Sequence, residues 1–451
     1  MSARPPIVII GAGIAGLVAA HELQRHGVDA DVYEAGGAVA GMAASHVDPD
    51  GFAYDIGAHF VTNRFVGALG VPGPFHTLPR YGEVVHLGPG RFPLYPLGLL
   101  GVPRFVASAA EERVRRPERD LRTAAERFRR DYGPALADEV AAPLLAAWSG
   151  LPADELSASV IDKIPTSLPR TVWLRAAQRL TRRAVMIGYC KEAPSLAAVH
   201  HVVPAAGVAA ICTHVADGLR RPVRLHSPAE RIHVEDGRVV GARVAGRDIE
   251  TDVVISTLPI NRLADLVSGT DRLDRFRRFR FRGLVLVNLK LDGRGLLPDV
   301  VVWTPTGFPF FRVTETALSM PWTAPDGKTL VLCELGAQPG DETWNLTDDE
   351  ATERCVAALE RLIPDVRRRL LGSTVLRQAL SYPVFALENE EDRAALAAEG
   401  TGVGGLHSIG RNGEFDHILM EDTFWRIRRR TPALLAAREA EQLRPAVRGA
   451  H

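Results

Sequence analysis

The hydrophobic pattern opens with four apolar residues in a row, Ile7-Val8-Ile9-Ile10, as expected of a parallel strand covered on both faces. Gly11-Ala12-Gly13-Ile14-Ala15-Gly16 follows without a gap. Residues 17–26 take helical spacing, with Leu17, Ala20, Leu23 and Gln24 along one side and Gly27 placed to end the helix. A second apolar-rich run, 28–33, predicts a strand that ends at Glu34. Further on, 284–289 and 330–335 read as sheet strands, and 105–190, rich in Ala, Arg and Leu, reads as mostly helical. The pattern predicts an α/β protein that opens on a strand–helix–strand crossover.

That crossover carries a chemistry. Gly11 permits a tight turn, Gly13 lets the backbone approach a pyrophosphate, and Gly16 lets helix and strand pack closely. The N–H groups of Gly13, Ile14, Ala15 and Gly16 lie at the start of the helix, where unpaired donors and a partial positive charge favour phosphate. Glu34 stands 18 residues beyond Gly16, close to the ~20 expected of a carboxylate that accepts from ribose hydroxyls and repels a 2′-phosphate. A second GxGxxG occurs at 400–405, but a helical run precedes it and a strand follows. The order is inverted, so it is not expected to be a nucleotide site, and no separate nicotinamide site is left.

Composition narrows the classes. With 451 residues the chain has length for two to four domains. Lys+Arg and Asp+Glu are 54 each, so there is no basic excess for a nucleic acid. Only four of the basic residues are lysines, the mark of a GC-rich, bacterial coding sequence. The four cysteines, Cys190, Cys212, Cys333 and Cys355, form no CxxC pair and read as buried thiols of a reducing, cytoplasmic compartment. No metal site, HExxH or GxSxG is present, and no secretory leader is expected. The apolar stretch 92–110 is broken by three prolines and Arg104, too interrupted to span a bilayer, which leaves at most weak peripheral membrane contact. The expected partner is a small-molecule substrate; oligomeric state stays open.

Beyond Glu34, the runs Ala35-Gly36-Gly37-Ala38-Val39-Ala40-Gly41-Met42 and Asp55-Ile56-Gly57-Ala58-His59-Phe60 resemble the glutathione-reductase-type FAD proteins, in the branch of amine oxidases, protoporphyrinogen oxidases and UDP-galactopyranose mutases. Ala40 stands where that family usually has glycine. Val203-Pro204-Ala205-Ala206-Gly207, the 222–232 region with Ala229, 252–259, and Ser408-Ile409-Gly410-Arg411 followed by Met420 resemble its later segments. The resemblance implies FAD and a Rossmann-like FAD-binding domain of residues 1–75, 195–265 and 370–451. It also implies a discontinuous helix-plus-sheet substrate domain of residues 76–194 and 266–369.

It further implies FAD contacts at Gly11, Gly13, Ile14, Ala15, Gly16, Glu34, Ala35, Gly41, Met42, Ala58, His59, Ala229, Gly410, Arg411 and Met420. The helix opening at Met420 is expected to face the flavin pyrimidine edge with its positive end. His59, at the place of the mutase-like Gly-x-His-x-Phe, is expected beside the ring to transfer a proton or orient it. Arg312 and Arg411 match arginines of this branch, one expected to grip an anionic substrate and the other to pair with the cofactor; Arg64 is a weaker candidate. Tyr382, Tyr95, Trp148 and Trp173 are candidate pocket walls. The implied activity is FAD-dependent dehydrogenation of a small organic substrate by hydride transfer to flavin N5, in bacterial specialised or envelope metabolism. A redox-neutral sugar mutase is the alternative, and a flavin-binding scaffold without turnover a third class.

Overall fold

Ile7–Ile10 (β1), Ile14–Arg25 (α1) and Ala30–Tyr33 (β2) form the first crossover, in a computed structural model that describes residues 5–56, 60–115, 121–163, 168–185, 190–192 and 199–442. The strands lie in a four-stranded parallel sheet ordered Leu406–Ser408, Val253–Ser256, β1, β2. No residue of β1 is more than 4% exposed. Ile7 and Ile9 pack toward α1 and the closing helix Met420–Gln442, while Val8 and Ile10 pack into a second cluster with Ile232 and Val234. Burial on both faces is why this run shows no polar alternation.

The chain after Arg426, whose charge run predicts a solvated helix with a frayed end, belongs to a closing helix that is packed along one side. Phe424, Ile427 and Thr431 are buried, and Arg426 bridges Glu192, Glu414 and Asp416. The 400–405 glycines do lie between a helix, Glu390–Glu399, and a strand, Leu406–Ser408. All four cysteines are buried thiols, and Cys190 Sγ donates to Asp422 Oδ1 at 3.2 Å. In the 92–110 stretch, Leu99, Val102 and Phe105 are buried, whereas Leu94, Leu100 and Val106 are exposed. No helix among the described residues is long and apolar enough to cross a membrane.

A second, six-stranded sheet runs Leu370–Pro383, Phe281–Asp292, Lys328–Ala337, Arg312–Glu315, Val301–Trp303, Glu83–Val85. Only the last pair is parallel. The long strand Leu370–Pro383 belongs to this sheet, so the chain rejoins the parallel sheet only after Pro383. One face is dry: Val285, Val287, Val331 and Cys333 pack against Cys355, Val356 and Leu359 of the helix Asp348–Leu359. The other face carries, in one cross-strand row, Leu376, Leu286, Glu334, Arg312, Trp303 and Val85. Ile56, at the end of the hairpin Ser45–Val47/Ala53–Asp55, packs on this second face. The hairpin therefore ties the sheet to the segment that leads into 57–59.

Candidate functional site

At the start of α1 the glycines divide into two kinds. A Cβ on Gly16 would stand 2.0 Å from the Gly11 carbonyl oxygen, and Gly11 itself has φ +97 with its missing Cβ 2.1 Å from Thr257 Oγ1. These two are demanded by the protein's own packing. Gly13 is not: its φ is −71 and ψ 177, and the nearest atom to a Cβ there is the Ala40 carbonyl oxygen at 3.9 Å. The space over Gly13 is empty of protein. The first turn of α1 also has no side-chain cap and no acidic residue, so its N–H groups and positive end are left for something outside the chain. Open space joined to a bare helix N-terminus fits a pyrophosphate. Ile14 flanks this space half-buried, and Ala15 is buried beneath it.

Ala40 and Gly41 close the other side. Ala40 bridges Gly13, donates its N–H to the Ala12 carbonyl at 3.0 Å, and is 3% exposed. Its φ of +91 places a non-glycine residue in the left-handed region, which costs about 1–2 kcal/mol. The alanine here is thus a strained fit to a turn made for glycine. Met42 is half-buried in the short helix that follows, and Ala35 is exposed at the end of β2.

Glu34 is held from both sides. Its Oε2 accepts the Ala12 N–H at 2.8 Å and its Oε1 the Gly36 N–H at 2.8 Å. Each oxygen keeps lone-pair capacity for a hydroxyl donor. Arg224 runs beside Tyr33, with the Glu34 N–H donating to the Arg224 carbonyl at 2.9 Å. Ala229 opens the strand Ala229–Glu235 a short way further along and is half-buried.

The closing segment returns to the same place. A Cβ on Gly410, whose φ is +82, would lie 2.9 Å from the Ala15 Cβ, so Gly410 rests on the first turn of α1. Arg411, next to it, donates Nε–H to the Ile418 carbonyl at 2.9 Å and stands 5.8 Å from the Tyr382 ring. No carboxylate among the described residues pairs with it, and burial pushes its pKa below the ordinary arginine value despite Tyr382, Asp422 and Asp416. An unneutralised guanidinium beside the cradle suits an anionic or carbonyl-bearing group.

Met420 is half-buried at the start of the closing helix. That N-terminus is not bare. Glu421, fully buried, accepts from Thr62 Oγ1 at 2.8 Å, Arg64 Nε at 2.6 Å and Trp425 Nε1 at 3.1 Å. Asp422 accepts the N–H groups of Lys191, Glu192 and Leu419. Two carboxylates already meet part of the helix dipole that was expected to face the flavin, and Arg64 is spent on one of them.

Gly57, Ala58 and His59 lie outside the described residues. The residues around them are described. Asp55 accepts from Ser45 Oγ at 2.5 Å, and Ser45 Oγ in turn accepts the Ala209 N–H at 3.0 Å. Burial pushes the Asp55 carboxyl up to about 7 from 3.8, with the Ser45 hydroxyl partly offsetting it. The native protein therefore keeps a proton that the unfolded chain releases near pH 4. This contribution to stability is full below about pH 4, declines from there to about pH 7, and is lost above. Asp55→Asn should flatten that decline: thermal melts of wild type from pH 5 to 8 are expected to fall more steeply than those of the variant.

The second face of the six-stranded sheet adjoins the closing segment, where the Tyr382 ring stands 5.8 Å from Arg411. Arg312 Nε and Nη2 donate to Glu334 Oε1 and Oε2 at 2.5 and 2.6 Å, a bidentate pair, with the guanidinium 5.1 Å from the Trp303 ring. Burial works against the Arg312 charge, but Glu334 and the nearby tyrosines outweigh it and hold its pKa above the ordinary value. Arg312 is therefore committed to its neighbour on the adjacent strand; of the two arginines, one of which was expected to grip an anionic substrate, it is the one paired with a carboxylate. Glu83, on the same face, is pushed up by burial although Tyr81 hydrogen-bonds to it. Tyr382 and Trp148 meet edge to face at 5.0 Å. Trp173, by contrast, is 58% exposed and lines no part of this surface.

The family model for flavin-containing amine oxidoreductases matches residues 14–422. The chain belongs to that family. It is an FAD-dependent oxidoreductase, with FAD as its cofactor. Among solved structures it is similar to reduced UDP-galactopyranose mutase, with a TM-score of 0.78 and 19% identity over 96% of this chain and 94% of that one. It is also similar to a candidate protoporphyrinogen oxidase from Exiguobacterium sp. 255-15, with a TM-score of 0.73 and 17% identity over 97% and 100%. At these identities the likeness shows the fold. A mitochondrial protoporphyrinogen oxidase of Nicotiana tabacum is 41% identical over 61 residues, 14% of this chain and only 12% of that protein.

Gly13, Ala15, Glu34, Gly41 and Gly410 come together around the start of α1, while Arg312 and Arg64 are tied up by carboxylates. Asp55 stood in the sequence only as the head of the run that ends in His59-Phe60, and Glu83 and Glu334 carried no assigned role. A signal existed for Glu334, a lone charge inside the apolar run 330–335, which in a buried strand requires a cationic neighbour.

Proposed function

We propose that the protein dehydrogenates a small organic substrate whose reacting part is uncharged. FAD, when bound, supplies the two-electron acceptor, taking hydride at N5. The N–H groups at Gly13, Ile14 and Ala15 hold the pyrophosphate, Glu34 accepts from ribose, and Gly41, Met42, Gly410 and Arg411 line the remainder. His59 is assigned proton transfer or ring orientation in this reading. Arg312 stiffens the second face of the six-stranded sheet by pairing with Glu334 while its guanidinium lies over the Trp303 ring.

One observation carries the choice of substrate: on this face the cluster of Leu284, Leu286, Phe311 and Leu332 with Trp303, Trp148 and Tyr382 is apolar and aromatic, and the Arg312–Glu334 pair beside it is self-neutralising. A nucleotide-sugar mutase needs a free cation for its substrate's diphosphate, and Arg312 is not free. Anaerobic mixing of the oxidised holoenzyme with candidate substrates tests the reading. An uncharged substrate is expected to bleach the flavin absorbance. Turnover that appears only after dithionite, with no net electrons consumed, supports the mutase instead. A spectrum unmoved by every candidate supports a scaffold.

A further inference from the structure

A groove of about 720 Å³ lies at the edge of the six-stranded sheet, beside the strand Glu83–Val85, between the helix Leu168–Thr181, the turn at 80–82, residues 94–97 and Pro298-Asp299. Its surface mixes two characters. Leu94 and Val172, 44% and 51% exposed, with Leu97 and Tyr95, make an apolar wall open to water. Arg80, Arg175, Arg179 and Asp299 supply the charge. Asp299 pairs with Arg80 at 3.0 Å. Arg175 and Arg179 have no carboxylate partner among the described residues, so the groove keeps a positive excess.

Arg175 is fixed in place. Its Nη1 donates to the Tyr81 carbonyl at 3.2 Å and its Nη2 to the Tyr95 carbonyl at 2.7 Å, and Gln178 Nε2 donates to the same Tyr81 carbonyl at 3.1 Å. Two neutral acceptors orient the guanidinium without cancelling its charge, and further N–H donors remain on its planar fork. Tyr81 forms the inner wall. Its ring meets Phe60 at 5.2 Å, and its hydroxyl bonds to Glu83 on the cofactor side.

We propose that this groove binds an amphipathic carboxylate, with the apolar chain along Leu94, Leu97 and Val172 and the carboxylate on Arg175, reinforced by Arg179. An oriented guanidinium beside apolar groove walls matches a molecule with an apolar body and one anionic end. If that molecule is the substrate, its uncharged part reaches past Tyr81 toward the catalytic wall, and to that extent the proposal rests on the dehydrogenation reading. Binding is measured without turnover, so either can fail alone.

The test is calorimetric titration of the FAD-loaded protein with dodecanoate, dodecan-1-ol and dodecyltrimethylammonium, each below micelle-forming concentration. Dodecanoate is expected to saturate one site, at least about tenfold tighter than the alcohol, with the cation weakest. Arg175→Met should cost dodecanoate at least about tenfold and leave the alcohol unchanged, and Arg175→Lys should recover part of the loss. Flavin absorbance reports that each variant is folded and loaded. Because Arg175 also ties Tyr81 to Tyr95, Val172→Glu serves as the second variant: it changes an exposed side chain and should repel the carboxylate by a similar factor. Equal affinity for acid and alcohol, no binding of dodecanoate, or dodecanoate binding untouched by Arg175→Met or Val172→Glu overturns the proposal.

Discussion

Gly13→Val is expected to give a folded protein that carries no flavin. The backbone at Gly13, φ −71 and ψ 177, suits valine, and the nearest protein atom to a Cβ is 3.9 Å away. The added side chain therefore costs the apoprotein little. It fills the space over the N-terminus of α1 and should weaken FAD binding by at least about a hundredfold, or ~2.7 kcal/mol. Gly16→Val is the control. Its Cβ would collide with the Gly11 carbonyl at 2.0 Å, and backbone cannot yield there without breaking the β1–α1 turn, so this variant should fail to fold. Circular dichroism melts and flavin absorbance, read together on the two variants, separate a ligand's requirement for glycine from the protein's. A Gly13→Val protein that keeps stoichiometric flavin would falsify the placement of the pyrophosphate.

Breaking the Arg312–Glu334 pair should be costly, and removing it whole should not. Glu334 is 3% exposed. Arg312→Met leaves that carboxylate without its cation in an apolar surface, a loss of about 3–5 kcal/mol by comparison with other buried pairs. Arg312→Met combined with Glu334→Leu restores apolar packing against Leu286 and Leu332 and should recover most of the loss. Urea denaturation of the singles and the double measures the coupling. If Arg312→Met melts like wild type while substrate affinity collapses, Arg312 grips an anion after all and the uncharged-substrate reading is wrong.

The opening crossover was legible because its causes are local. An unbroken apolar run means burial on both faces, and the positions of Gly11 and Gly16 follow from a turn six residues long. Glu34 was legible by its distance along the chain. The return of Gly410 onto Ala15 came through family resemblance, since nothing in the local pattern demands it. What was hidden depends on partners. Arg312 has the same surface appearance as dozens of other arginines until Glu334, 22 residues on, is seen across two paired strands. Asp55 becomes unusual only when the hairpin brings Ser45 to it and the Ala209 N–H to Ser45. The closing helix shows a middle case. Phe424, Ile427, Thr431 and Leu434 do recur at helical spacing, but the arginines between them dominate the composition and disguise the packed stripe.

The most direct measurement is a calorimetric titration of flavin-stripped protein with FAD, run alongside ADP-ribose lacking the isoalloxazine. The account predicts one FAD per chain, return of the yellow colour, and weaker but measurable binding of the nucleotide half through Glu34 and the α1 N-terminus. Protein that stays colourless and gives no heat with either compound contradicts it.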